Sequence, residues 1–182
     1  MKLWKVYTLE ENNIHLTGEM EEYEKLYPFL WEGESVKKDW DKSLYLEMDP
    51  NYPYPNHSDF LNFSVSFLIV SPEALEMFNK IDKNAFEVLD FICGCGKYYI
   101  INIIKIVDCI DMEKSVYKTY KMDPDTIVKY KKLFFKWDNI KDNKIFWLKH
   151  LEGGLLVCTD EVKNQIENAH LYGLGFELLG EN

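Results

Sequence analysis

The feature that most constrains the fold of this chain is a ten-residue run at positions 98–107, which reads Tyr-Tyr-Ile-Ile-Asn-Ile-Ile-Lys-Ile-Val. Five of its residues are Ile and one is Val, and β-branched side chains fit a pleated sheet better than a helix. Both alternating faces are apolar, so the run predicts one central strand, roughly 33 Å long, covered on both sides. We take Ile101, Asn102 and Ile103 as its structural core, where the buried Asn102 amide must find hydrogen-bond partners.

Shorter patterns place further strands and two helices around this run. A Gly-Cys-Gly turn at 94–96 predicts an antiparallel hairpin between the strand before it and the central run. One helix is expected after Ser71, which is followed by Pro72 at the first helical position, and another at 160–168 after Thr159. The predicted strands span residues 3–8, 67–70, 85–93, 98–107, 128–137, 144–150, 155–158 and 176–179, and residues 108–125 are a polar connection. This order predicts an α+β fold with a largely antiparallel central sheet, about two packed helices and an irregular acidic N-terminal third.

The negative charge of the chain is concentrated near its N-terminus. Residues 1–59 carry 13 acidic and 6 basic side chains, a net charge of −7, whereas residues 60–182 carry 18 and 15. A loop at 49–57 contains three prolines and separates the two regions. We therefore expect an acidic, aromatic-rich N-terminal part at 1–58 and an α+β body at 59–182, packed as one compact unit.

Charge and composition exclude several classes of partner. The net charge is −10 and every basic residue is lysine, so bidentate guanidinium contacts to phosphate are lacking and nucleic acid is not an expected partner. The longest apolar runs are too short to cross a bilayer, and no apolar segment of signal-peptide length opens the chain. These observations predict a cytoplasmic protein with no membrane partner.

The cysteines and histidines offer few candidates for chemistry. Cys93 and Cys95 form a Cys-x-Cys pair, but Cys109 and Cys158 are single and distant, which is not the spacing of a zinc site. Buried thiols in a reducing cytosol are the ordinary interpretation. The alternative is a small redox or metal-dependent enzyme that uses Cys93 and Cys95. His57, Ser58 and Asp59 are interpreted as turn residues, so we predict no catalytic residues, no metal and no cofactor.

Several short motifs occur in an order that resembles one known family. They are Asp59-Phe60-Leu61, Ile69-Val70-Ser71, Tyr98 to Ile103 running on to Val107-Asp108-Cys109-Ile110-Asp111 and Ser115, Lys144-Ile145-Phe146, Val157-Cys158-Thr159-Asp160-Glu161-Val162-Lys163 and Gly173-Leu174-Gly175-Phe176. Over about residues 59–179, the chain resembles the bacterial immunity-protein family number eleven of polymorphic toxin systems, formerly a domain of unknown function. One departure is Trp147, which stands where arginine is common in the family after Ile-Phe.

The resemblance implies a cytoplasmic protein that binds and neutralises a cognate toxin and has no catalysis of its own. Acidic side chains steer a basic partner, and tryptophans provide the buried anchors that dominate many interfaces. A toxin that acts on nucleic acid presents a basic cleft, so a nuclease-like toxin domain is the favoured partner. The predicted toxin-binding residues are Glu19, Glu21, Glu22, Glu24, Trp31 and Trp40. The alternative for the glutamate run is a solvated helix face.

Overall fold

A computed structural model describes residues 1–11, 13–18, 33–41, 43–52, 55, 57–63 and 68–182. The strands are β1 (Lys2–Thr8), β2 (Leu16–Thr17), β3 (Tyr45–Met48), β4 (Phe60–Leu61), β5 (Leu68–Val70), β6 (Phe86–Cys93), β7 (Gly96–Ile103), β8 (Ile106–Val107), β9 (Val116–Thr119), β10 (Ile127–Lys132), β11 (Ile145–Leu148), β12 (Leu156–Thr159) and β13 (Leu174–Glu181). Within the described ranges, the helices are α1 (Pro72–Phe78) and α2 (Asp160–Asn168), with a 3-10 turn at Trp137–Asn139.

The predicted α+β fold with one central sheet is wrong, because β-structure dominates. In the described part of the chain, 42% of residues lie in strands or bridges and 12% in helices. The strands form two large sheets and a separate β9–β10 pair, while α1 and α2 have only 7 and 9 residues. The N-terminal third is not irregular where it is described, since it supplies β1, β2 and β3.

The two large sheets differ in their strand order. The five-stranded sheet has the order β13-β1-β12-β11-β8, in which β1 is antiparallel to both of its neighbours and β8 is parallel to β11. The six-stranded sheet has the order β2-β3-β6-β7-β5-β4, and β3 runs parallel to β6. Strands from residues 1–58 therefore enter both sheets.

Three apolar clusters cover the faces of these sheets. The first lies between the sheets and includes Ile101 of β7, Trp147 of β11 and Phe78 of α1. The second includes Ile100 on the other face of the six-stranded sheet, and the third includes Phe146 on the other face of the five-stranded sheet. Adjacent residues on one strand point to opposite faces. The two sheets therefore share the first cluster as a common core, and the other two clusters cover their outer faces.

The predicted hairpin and first helix cap are confirmed. β6 and β7 pair antiparallel along their whole length, from Phe86 opposite Ile103 to Cys93 opposite Gly96. Ser71 is the N-cap of α1, and its hydroxyl accepts a hydrogen bond from the backbone N–H of Ala74 at 3.1 Å. This contact satisfies one of the free N–H groups of the first helical turn.

The run at 98–107 is not the single strand that its pattern predicts. β7 ends at Ile103, and after two connecting residues the chain enters the other sheet as β8. Trp147 satisfies the backbone at this crossing: its indole N–H donates to the Ile103 carbonyl at 3.0 Å and its backbone N–H to the Lys105 carbonyl at 2.9 Å. The run therefore connects the two sheets.

The three residues taken as the core of the run are all buried. Ile101 and Ile103 expose 1% and 2% of their surface and belong to the cluster between the sheets. Asn102 exposes 5%, and its amide donates to the Glu34 carbonyl at 2.9 Å and to the Glu87 carboxylate at 3.4 Å. The amide is thus partnered by a segment that precedes β3 and by the neighbouring strand.

Candidate functional site

The residues predicted to bind a partner fall largely outside the described residues. This applies to Glu19, Glu21, Glu22, Glu24 and Trp31. Trp40 is described and half-buried, and its indole N–H donates to the backbone carbonyl of Asp90 in β6 at 2.8 Å. The last of the predicted toxin-binding residues is therefore attached to the six-stranded sheet.

Glu87 of β6 makes a second attachment to the sheet, through residues 35 and 36. Its carboxylate accepts hydrogen bonds from the Ser35 hydroxyl and from the backbone N–H of Val36, the latter at 3.0 Å. Partial burial acts to raise the pKa of Glu87, but the hydrogen bonds from Ser35, Val36 and Asn102 lower it overall. The ionised carboxylate fixes residues 34–36 to the sheet beside the central run.

An exposed apolar pair lies where β3 meets β6. Tyr45 and Ile92 are register partners in this parallel pair, and they expose 43% and 56% of their surface. Glu47 and Asp90 are two residues from them on the same strands and are exposed, as is Lys97 opposite Ile92 on β7. These five residues, here called the β3–β6 surface, place an apolar centre within a charged rim, the arrangement of many protein interfaces.

The Cys-x-Cys pair borders this surface at the β6–β7 turn. The sulfurs of Cys93 and Cys95 are 2.9 Å apart, with Cys93 buried and Cys95 partly exposed. In the described part of the chain, no group of three or more His, Cys, Asp or Glu side chains could hold a metal ion. The pair therefore brings two thiols together without a larger ligand set around it.

His57, Asp59 and Ser71 come together, but not in the arrangement of a hydrolase. The buried Asp59 carboxylate is 3.0 Å from His57 Nε2 and accepts from the Ser71 hydroxyl at 2.8 Å and the Tyr172 backbone N–H at 2.9 Å. A serine nucleophile must donate to the histidine that activates it, whereas Ser71 donates to the carboxylate. Asp59 instead links three segments of the chain.

Gly173 allows two of these segments to lie in contact. Its φ is +114°, and a Cβ atom at this position would lie 2.3 Å from the carbonyl oxygen of Phe60. Both the positive φ and the close backbone approach require glycine. The Asp59 link therefore depends on the Tyr172–Gly173 turn that leads into β13.

A family model supplies the identification. The immunity protein family Imm11 matches residues 6–181, nearly the whole chain. The chain belongs to the Imm11 immunity protein family. The resemblance found in residues 59–179 is thereby confirmed, and the match also covers the acidic N-terminal part. No curated protein matches this Imm11 chain.

Sequence reasoning did not find the β3–β6 surface of this Imm11 protein. Ile92 alternates with the buried Phe91 and Cys93, which is the pattern of an outward-facing position on a strand. That alternation was a usable signal for an exposed apolar residue. Its pairing with Tyr45 depends on a parallel contact between distant strands, which has no local signature.

Among the described residues, no helix is both long and apolar enough to cross a membrane.

Proposed function

We propose that this protein binds a cognate bacterial toxin in the cytoplasm and neutralises it without catalysis, as the immunity component of a polymorphic toxin system. The family match over residues 6–181 carries this proposal. An inhibitor of this kind needs a surface that occupies the toxin and no catalytic machinery. The structural link made by Asp59 and the two fully buried thiols of Cys109 and Cys158 agree with that requirement.

We further propose that the toxin contacts residues 19–40, here called the acidic segment, together with the β3–β6 surface. Trp40 lies next to that surface, because its indole N–H donates to the backbone carbonyl of Asp90, a member of the surface. Exposed Tyr45 and Ile92 provide apolar area for a buried contact centre, and aromatic anchors carry a large share of interface energy. Glu19, Glu21, Glu22, Glu24 and Trp31 extend the contact along the acidic segment in this proposal.

The proposed partner is a toxin domain with a basic surface, such as that of a nuclease. The net charge of this protein is −10, and complementary charge can raise an association rate ~10–1000-fold. Fast capture is an advantage for an inhibitor that must act before the toxin reaches its target. Charge thus contributes to the encounter rate, while the apolar and aromatic residues slow dissociation.

A charge-reversal experiment tests the role of the acidic segment. Glu19, Glu21, Glu22 and Glu24 are changed together to lysine, and association with the purified toxin domain is followed at low and high salt. We expect association several-fold slower at low salt, with a weaker dependence on salt. The matched control changes four exposed acids of the body to lysine: Glu76, Glu113, Asp125 and Asp142.

Both variants have the same net charge, so the comparison separates a local effect from a global one. Faster association by the control than by the N-terminal variant supports a binding surface at the acidic segment. Equal rates for the two variants, or a wild-type rate for the N-terminal variant at low salt, refute it.

A second experiment tests the β3–β6 surface. Tyr45→Ala and Ile92→Ala each remove exposed apolar atoms without emptying the core, so folding is retained. If these side chains anchor the toxin, each change raises Kd at least tenfold (about 1.4 kcal/mol), chiefly through faster dissociation. Tyr172→Ala removes another exposed tyrosine and is the matched control. Unchanged affinity in both surface variants excludes this surface from the interface.

A further inference from the structure

The two thiols of the β6–β7 turn are held in direct contact. Their sulfurs are 2.9 Å apart, and the Cys93 sulfur also lies 3.6 Å from the Gly96 carbonyl oxygen. The turn is fixed from outside, because the Gly94 N–H donates to the Leu46 carbonyl of β3 at 2.9 Å. The contact between the sulfurs is therefore part of the packed hairpin.

The contact shifts the pKa values of the two thiols in opposite directions. The hydrogen bond from Cys95 lowers the pKa of Cys93, burial opposes this effect, and backbone hydrogen bonds of the turn lower it further. The same hydrogen bond, followed by burial and the neighbouring charge, raises the pKa of Cys95. The pair therefore loses its first proton more readily than an isolated thiol does. The remaining proton lies between the two sulfurs and is lost less readily.

The other two cysteines provide an internal comparison. Cys109 and Cys158 are fully buried, and burial raises the pKa of each thiol to about 12. A thiol of this kind is inert, because the thiolate is the nucleophile. Cys95 differs in being partly exposed at a turn. Solvent access at Cys95 and a lowered pKa at Cys93 therefore coincide at the 93–95 pair.

We propose that Cys93 and Cys95 form a reversible redox modification site that takes a low-molecular-weight disulfide as its oxidant. Cys93 accepts the Cys95 proton across the S···S contact, and the exposed Cys95 sulfur attacks one sulfur of that disulfide, breaks its S–S bond and releases one thiolate. Cys93 then loses its proton and attacks the Cys95 sulfur, which expels the second thiolate and closes the protein disulfide. Two protein thiols are oxidised, one external disulfide is reduced, and the two protons pass to the two released thiols.

This site lies beside the β3–β6 surface. A Cβ atom at Gly94 would lie 3.1 Å from both the Glu47 carboxylate and the Met48 backbone nitrogen, so the turn is tightly packed on β3. A new bond within the turn therefore forms next to Glu47 and Ile92. The chemistry of the pair is independent of the proposed toxin binding, whereas any effect of oxidation on binding rests on it.

The test uses the intact folded protein and needs no toxin. The reduced protein is incubated with oxidised glutathione, its free thiols are blocked with N-ethylmaleimide, and tryptic peptides are weighed. Cleavage after Lys83 and after Lys97 releases a peptide at 84–97 that contains both cysteines. An internal disulfide therefore appears as this peptide without a label and lighter by two hydrogens. We expect that product in the wild type, with the peptides of Cys109 and Cys158 labelled after unfolding.

Two variants make the result specific. Cys95→Ser has no exposed thiol and should give neither disulfide nor glutathione adduct, or only a slow adduct on Cys93. Cys158→Ala keeps the pair and should oxidise like the wild type. A wild-type 84–97 peptide that is fully labelled, or that accumulates only stable glutathione adducts, overturns the proposal. Intact native circular dichroism of each variant confirms that the comparison is between folded proteins.

Discussion

Replacing Asp59 with alanine should destabilise the whole protein, although this residue belongs to a loop. Its carboxylate is 3% exposed and holds Ser71 at the start of α1 and Tyr172 before β13. The Asp59 backbone adds two further bonds between the same segments: its N–H donates to the Tyr172 carbonyl and its carbonyl accepts from Ser71. Asp59→Ala keeps these backbone bonds and removes the charged acceptor.

The expected loss of stability is estimated from the two hydrogen bonds that the carboxylate accepts from Ser71 and Tyr172; the contact with the exposed His57 adds little. A hydrogen bond to a charged group contributes ~1.5–3 kcal/mol, so the pair contributes roughly 3–6 kcal/mol. Alanine also removes the desolvation cost of the buried carboxylate, which offsets part of this loss. We expect the free energy of unfolding to fall by about 2–4 kcal/mol, a large fraction of the ~5–15 kcal/mol of a typical domain.

Urea denaturation at 25 °C, followed by tryptophan fluorescence and circular dichroism, measures this change. Asp59→Asn keeps an acceptor of the same size and should lose about half as much stability. Asp138→Ala removes an exposed carboxylate with an ion pair to Lys141 and should change stability by less than ~0.5 kcal/mol. If Asp59→Ala unfolds within ~0.5 kcal/mol of the wild type, the carboxylate does not link these segments.

The other predictions concern the crossing between the sheets and the buried thiols. Trp147→Phe keeps an aromatic ring but leaves the Ile103 carbonyl without its donor, so a loss of about 1–3 kcal/mol is expected in the same assay; no loss refutes the role of the indole N–H. Ile103→Asp should prevent stable folding and Asn102→Ala should lower the melting temperature clearly, because one buries an unpaired charge and the other removes buried hydrogen bonds; melting within a degree or two of the wild type contradicts this. Burial raises the pKa of Cys109 and Cys158 from 9.0 to about 12, so above pH 9 the unfolded chain binds fewer protons than the folded one and stability falls as pH rises towards 12. Replacing both thiols with alanine should flatten that fall, and an unchanged pH profile argues against burial as its cause.

Local structure could be predicted from the sequence where a few neighbouring residues determine it. Ser71 and Pro72 gave the start of α1, and the Gly-Cys-Gly turn gave the β6–β7 hairpin. Each of these elements is fixed by a cap or by turn geometry within four or five residues. Predictions of this kind need no knowledge of the rest of the fold.

The arrangement of the sheets was not readable in this way. Both faces of the run at 98–107 stay apolar past Ile103, although the chain there leaves one sheet and enters the other. The pattern records burial on both faces, which is the same for one long strand and for two strands sharing a core. The polar connection at 108–125 also hides β9, because only one side of that strand is covered.

The candidate site shows the same limit of local patterns. The Trp40 contact with β6 and the Tyr45–Ile92 pair each join residues far apart in the chain. Their proximity follows from parallel pairing of β3 with β6, which a single sequence does not encode locally. The immunity role came from the order of short motifs, and the family match bears that out.

Survival of bacteria that produce the cognate toxin is the most direct test of the proposed function. The toxin domain is taken from the C-terminus of the large secreted protein expected upstream of this gene and is induced in cells with or without this protein. We predict that the wild-type protein restores growth, while an unrelated acidic protein at the same level does not. If cells die equally fast with the wild-type protein present at an excess over the toxin, the protein does not neutralise it.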